Sequence, residues 1–161
     1  MGEMLVKDAA RIAAARTLKD YWDGSLPVDP VAIAESMGIS VEFSRLKPGI
    51  SGAIIVEDGD ARILLDESEN YGRQMFTCAH EIGHYVERMA NGDHEYSFVE
   101  RRTQKYDLHE FYADEFAGNL LMPASNFTST WKKMKSDNLM AANFGVTPAA
   151  AKKRREKLAL A

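Results

Sequence analysis

Cysteine is almost missing from this chain: Cys78 is the only one in 161 residues, so no internal disulfide can form and the fold must rest on its apolar core. No stretch approaches the roughly 18 apolar residues that a membrane-spanning helix needs. The first twenty residues interrupt their apolar positions with Glu3, Lys7, Asp8, Arg11 and Arg16, which leaves no unbroken apolar centre for a secretion signal. These absences predict a cytoplasmic protein. Eleven Gly, five Pro and no low-complexity run exclude collagen-like, disordered and repeat architectures. The 45% hydrophobic and 27% charged content is what one compact core with a small appended lobe requires.

Charge is unevenly spread. Residues 1–125 carry 12 Lys+Arg against 22 Asp+Glu, a charge of −10, while residues 126–161 carry 8 against 2, a charge of +6. The boundary suggests a main domain over residues 1–125 and a basic helical region over residues 126–161.

Leu5, Ala9, Ile12, Ala13 and Leu18 recur at helical spacing and predict a first amphipathic helix over residues 3–22. Asp29, Pro30 and a closing Gly38 punctuate a second, short helix. Strand-like runs follow at residues 39–45, 52–56 and 61–66, the last two separated by Glu57-Asp58-Gly59-Asp60, where Asp-Gly is a hairpin signal. Residues 70–89 and 107–122 read as long helices, the second stopped by Pro123; residues 95–102 give no clear pattern. The expectation is an α+β fold: a small three-stranded, partly antiparallel sheet packed on helices.

Within the helix over residues 70–89 stands His80-Glu81-Ile82-Gly83-His84, the pattern H-E-x-x-H. Histidines four apart in a helix leave from one face, so both imidazoles can reach a single ion at the roughly 2.0 Å that zinc requires. Glu81 can then take a proton from a water at that ion. Phe76, Ala79, Ile82, Val86 and Met89 make the surroundings apolar, where unpaired polar rings would be costly. Gly83 inside a helix costs about 1 kcal/mol relative to Ala and so marks a close approach by a neighbour. Cys78 is read as buried packing.

A catalytic zinc takes three protein ligands and keeps a fourth position open. Glu110 shares the apolar stripe of Ala113 and Ala117 and is expected to point inward as the third ligand. Asp114, one turn later, is placed to accept the second ring proton of a ligating histidine. His94 and His109 are rivals for the third ligand. The longer spacing H-E-x-x-H-x-x-G-x-x-H fails, with Glu87 and Ala90 at its last two fixed positions.

The H-E-x-x-H helix, followed after about 25 residues by Glu110, Ala113-Asp114-Glu115-Phe116-Ala117 and Leu120-Leu121-Met122-Pro123, resembles the ImmA/IrrE family of metallopeptidases. The resemblance covers roughly residues 25–125. It implies a gluzincin-like site with Zn2+ held by His80, His84 and Glu110, and Glu81 as catalytic base. It also implies a substrate class: helix-turn-helix repressors and antitoxins of phages, mobile elements and stress-response operons. A further donor to the developing oxyanion is expected, and Tyr71, Tyr85, Tyr106, Tyr112, Arg101 and Arg102 are all open for it. Residues 51–56 are one possible edge along which an extended substrate would pair, and equally an ordinary strand paired within the sheet.

In the tail, Ala141, Gly145 and Ala151 fall at the offsets of a helix-turn-helix, with Lys152, Lys153, Arg154, Arg155 and Lys157 on its second helix. Three uses fit: weak DNA contact through residues 132–157, docking onto a substrate, or closure of the core. The acidic remainder of the chain would repel DNA and favours the last two. The alternative to an enzyme is a non-proteolytic regulator or toxin component, with a structural zinc site, acting through this tail.

Overall fold

The computed structural model describes residues 4–101 and 105–161; Glu3 and Arg102, both considered above, lie outside them. Helix α1 (Val6–Tyr21) and the short α2 (Pro30–Ser36) precede strands β1 (Ile39–Ser44), β2 (Ile50–Glu57) and β3 (Asp60–Asp66). Helix α3 (Tyr71–Ala90), strand β4 (Tyr96–Arg101) and helix α4 (Leu108–Leu121) follow, and α5 (Ala124–Met134), α6 (Asp137–Phe144) and α7 (Pro148–Lys157) complete the chain. This is a mixed α+β fold. No described helix is long and apolar enough to cross a membrane.

The element boundaries have local causes. Asp29 caps α2 by accepting from the amides of Val31 and Ala32 at 3.0 and 3.2 Å, with Pro30 in the first turn, where its missing amide hydrogen costs nothing. The Asp58-Gly59 pair joins β2 to β3 with φ of 50° and 82°. A two-residue hairpin of this kind needs positive φ at both central positions, which Asp and Gly tolerate.

The sheet has four strands, not the expected three, in the order β1-β3-β2-β4. Strand β1 runs parallel to β3, whereas β2 runs antiparallel to both β3 and β4. The added strand comes from the stretch that gave no clear pattern. Its presence also moves the edge: β2 is paired on both sides, so residues 51–56 offer no free edge, and β4 closes that side of the sheet.

The core lies where α3 and α4 meet each other and the sheet. Ile54, Ile63, Leu65, Ile82, Phe116 and Leu120 are fully buried there, each contributing roughly 1.5–3 kcal/mol relative to exposure. Gly83 makes the helix contact possible: a Cβ at that position would lie 3.1 Å from the Ala113 Cα and from the Phe116 side chain. The close approach expected from the sequence is therefore made by α4.

Residues of the last three helices share the same continuous core, with Phe127, Phe144 and Ala151 fully buried. The turn between α6 and α7 presses on the start of α3, where a Cβ on Gly72 would lie 2.9 Å from the Thr147 amide nitrogen. Arg154 is buried and donates through Nε to the Met122 carbonyl at 3.0 Å and through a terminal nitrogen to the Asn119 side chain at 3.2 Å.

Candidate metal centre

The Asn70 side chain caps α3 by accepting from the Arg73 amide at 2.9 Å, and the helix then runs 20 residues without a break. That continuity puts His80 and His84 on one face, with ring centroids 4.7 Å apart and the planes nearly perpendicular. Helix α4 is capped in the same way by Asp107, whose side chain accepts from the Glu110 amide at 2.9 Å. The cap fixes the first turn that carries Glu110 to α3.

One oxygen of Glu110 lies 2.7 Å from His80 Nε2 and 3.3 Å from His84 Nε2. Asp114 accepts from His80 Nδ1 at 2.8 Å, and its other oxygen accepts from the Tyr106 hydroxyl at 2.8 Å. Of the residues singled out in the sequence, His80, Glu81, His84, Glu110 and Asp114 are thus brought to one place. His94 is exposed in the turn after α3. His109 faces away, bonded to Glu87 at 2.9 Å.

Sequence reasoning missed Glu100. It stands on β4 with one oxygen 2.9 Å from His80 Nε2, and His80, Glu81, His84 and Glu100 offer donor atoms that all lie within 4.8 Å of one another. Phe98, on the same face of β4, stacks on the His84 ring at 4.6 Å and 12°. The available signal was the alternation of Tyr96, Phe98 and Glu100, which places a carboxylate in line with two inward aromatics.

The electrostatics are those of a site that could hold a cation. His84 and Glu81 are fully buried: His84 Nδ1 has no hydrogen-bond partner among the described residues, its Nε2 faces the Glu110 oxygen at 3.3 Å, and the Glu81 carboxyl stands against the carboxyl of Glu100. Buried polar atoms without partners are costly. A divalent ion would supply what the protein does not, and a mixed imidazole and carboxylate donor set suits zinc-like ions.

Proton affinities follow the same crowding. Burial pushes the His80 pKa down, but its bonds to Asp114, Glu100 and Glu110 outweigh this and hold it well above the ordinary histidine value. Burial drives Glu81 well above the usual carboxylate range; His80 opposes this and Glu100 adds to it. Glu110 and Asp114 go the other way: burial raises both, yet their bonds to the histidines hold both below the usual range. Burial, reinforced by Glu81, also raises the Cys78 thiol, which is fully buried beside Ala79 and Ile82 in the core.

A cavity of about 430 Å³ opens from His80, Glu100 and Glu110. Two of the residues considered as oxyanion donors, Tyr106 and Arg101, line it. Tyr71 is exposed, and Tyr112, pushed up to about 12 by burial and then by Glu87, borders a separate groove against α1. Lys153 and Lys157 of α7 form part of the cavity wall.

The five basic residues of α7 are unequally committed. Arg154 holds Met122 and Asn119, Arg155 holds Asp137 with bonds of 2.8 and 3.1 Å, and Lys157 pairs with Glu115. Lys152 and Lys153 are exposed.

Comparison with known proteins places this arrangement. A search of curated proteins gives no significant match. A solved Mycobacterium tuberculosis transcriptional regulator is similar in fold, with a TM-score of 0.62 at 17% identity over 91% of this chain and 48% of that one. The chain thus spans about half the length of that protein. The Peptidase_M78 family model, described as the IrrE N-terminal-like domain, matches residues 34–156, and the chain belongs to that family.

Proposed function

We propose that the protein is a zinc-dependent endopeptidase that cleaves a helix-turn-helix repressor or antitoxin at a specific site. The observation that carries the reading is the convergence of two imidazoles on one carboxylate, with a Glu110 oxygen 2.7 and 3.3 Å from the Nε2 atoms of His80 and the fully buried His84, beside the fully buried Glu81. Family membership supports peptidase chemistry, and the fold shared with a transcriptional regulator fits a role in gene control.

In this reading His80, His84 and Glu110 hold the metal, and Asp114 fixes the His80 tautomer by accepting from Nδ1. The zinc would supply Lewis acidity, polarising the scissile carbonyl and making water a better nucleophile at neutral pH. Glu81 takes the proton from the attacking water on a carboxylate oxygen and returns it to the leaving amine. Its raised proton affinity, caused first by burial, suits a group that must hold that proton during attack. Tyr106 and Arg101, on the cavity wall, are the candidates for stabilising the oxyanion. An extended substrate would lie along β4, whose outer side has no strand partner among the described residues.

The basic helix α7 acts in packing and substrate docking, because three of its five cations are already bonded within the protein. The test of the assignment is Glu81→Gln. Cleavage of the cognate repressor should fall by about 10²–10⁴-fold, with zinc content and folding unchanged. Undiminished cleavage would refute Glu81 as the base. A regulator working through its tail would instead show salt-sensitive DNA binding by the full chain and indifference to this substitution.

A further inference from the structure

The zinc-site reading above leaves one position open for water and substrate, and Glu100 reaches the same two histidines, 2.9 Å from His80 Nε2 and 4.0 Å from His84 Nε2. We propose that Glu100 is a fourth protein ligand, so that the resting centre is closed and opens only when the end of β4 moves. The inference rests on that reading of the metal site.

The distances carry it. Donors held about 2.0–2.1 Å from one tetrahedral ion lie roughly 3.3 Å from each other. One Glu110 oxygen is 2.7 and 3.3 Å from the Nε2 atoms of His80 and His84. One Glu100 oxygen is 2.9 and 4.0 Å from the same two atoms. The two carboxylates therefore stand in comparable relation to the histidine pair, one from α4 and one from the sheet.

Its inward aim is set by the backbone. Along β4, Tyr96, Phe98 and Glu100 are half-buried while Ser97, Val99 and Arg101 are exposed, and the stacking of Phe98 on His84 fixes which face looks at the metal residues. The pairing of β4 with β2 slips beside Glu100: Glu100 opposes Gly52 and Arg101 opposes Ile50, leaving Ser51 as an extra residue. Bulges of this type redirect side chains and weaken pairing locally. Glu100 thus sits near the end of an outermost strand, next to an irregularity, where displacement costs least.

Closed four-ligand zinc sites are structural and open three-ligand sites are catalytic. A carboxylate that can leave converts one into the other. A substrate strand pairing with β4 would supply the displacement, so cleavage would be confined to partners that engage that strand. Glu81 stays in place throughout, buried on α3.

The test uses the full chain loaded with Co2+, whose visible absorption reports the number and type of ligands, and acetohydroxamate as a probe that needs a vacant position. If Glu100 occupies that position nine-tenths of the time, about tenfold weaker hydroxamate binding is expected for the wild type than for Glu100→Ala. The cobalt spectrum of the variant should also change. Glu100→Gln, which keeps the size of the side chain, should bind the probe with intermediate affinity and guards against a folding defect. Equal affinities and identical spectra in all three proteins would overturn the inference and leave the three-ligand site standing. Failure of every form to bind cobalt would overturn both.

Discussion

At the seam of α3 and α4 the protein buries polar atoms that its own bonds leave unsatisfied, whereas in α6 and α7 buried or half-buried charge is met by partners. Arg154 is buried with two acceptors, and Arg155 is clamped by both oxygens of Asp137. At the seam, by contrast, His84 Nδ1 is buried with no partner among the described residues, and the buried Glu81 carboxyl stands against another carboxyl, Glu100. Paired charge of the kind in α7 stabilises the fold, whereas a buried polar atom left unpaired is costly. The difference separates charge neutralised within the fold from polar groups crowded at the candidate metal centre.

Substitutions can break that contrast. Asp114→Ala removes the acceptor at His80 Nδ1 and should lower zinc affinity by about 10–100-fold, read by competition with a chromogenic chelator. Arg154→Ala strips the Met122 carbonyl and the Asn119 side chain of a charged donor and should cost about 2 kcal/mol in urea unfolding, with zinc affinity unchanged. A loss of affinity from Arg154→Ala equal to that from Asp114→Ala would erase the distinction between the two regions.

A pH series sharpens the comparison with a smaller effect. In metal-free protein His80 and Glu81 both hold protons more tightly than in the unfolded chain. Each therefore makes the folded state bind more protons than the unfolded one as pH rises past its unfolded value, about 4.3 for Glu and about 6.5 for His. Stability of the metal-free form should fall as pH rises from about 6.5 toward the alkaline range. Zinc-loaded protein should lose this fall, because the metal takes neutral imidazole and carboxylate. Thermal unfolding of both forms across that range gives the answer; parallel curves would contradict the assigned proton affinities.

Much of the site was legible because it lies on helices, where a fixed period converts spacing into a shared face. His80 and His84 needed only their separation, and Glu110 and Asp114 needed only the stripe of Ala113 and Ala117. Caps at Asp29 and the Asp58-Gly59 turn were equally readable, since each is set by a local bond or a backbone angle. Glu100 and its strand were not. The alternation of Tyr96, Phe98 and Glu100 is only three residues deep in a six-residue outer strand, and its pairing partners lie about forty to fifty residues away in sequence. Nothing local to residues 95–102 encodes that pairing. The same omission left residues 51–56 open as either a substrate edge or an ordinary paired strand; β4 makes them the latter. The commitments of Arg154 and Lys157 to Asn119 and Glu115 are likewise long-range and invisible in a count of basic residues.

Metal analysis of the purified chain tests the central claim most directly. One zinc per molecule is predicted, lost when His84 is replaced by alanine and retained when His109, bonded to Glu87 outside the site, is replaced in the same way. Protein that holds no transition metal after exposure to zinc, or that keeps its full complement in His84→Ala, would contradict the account.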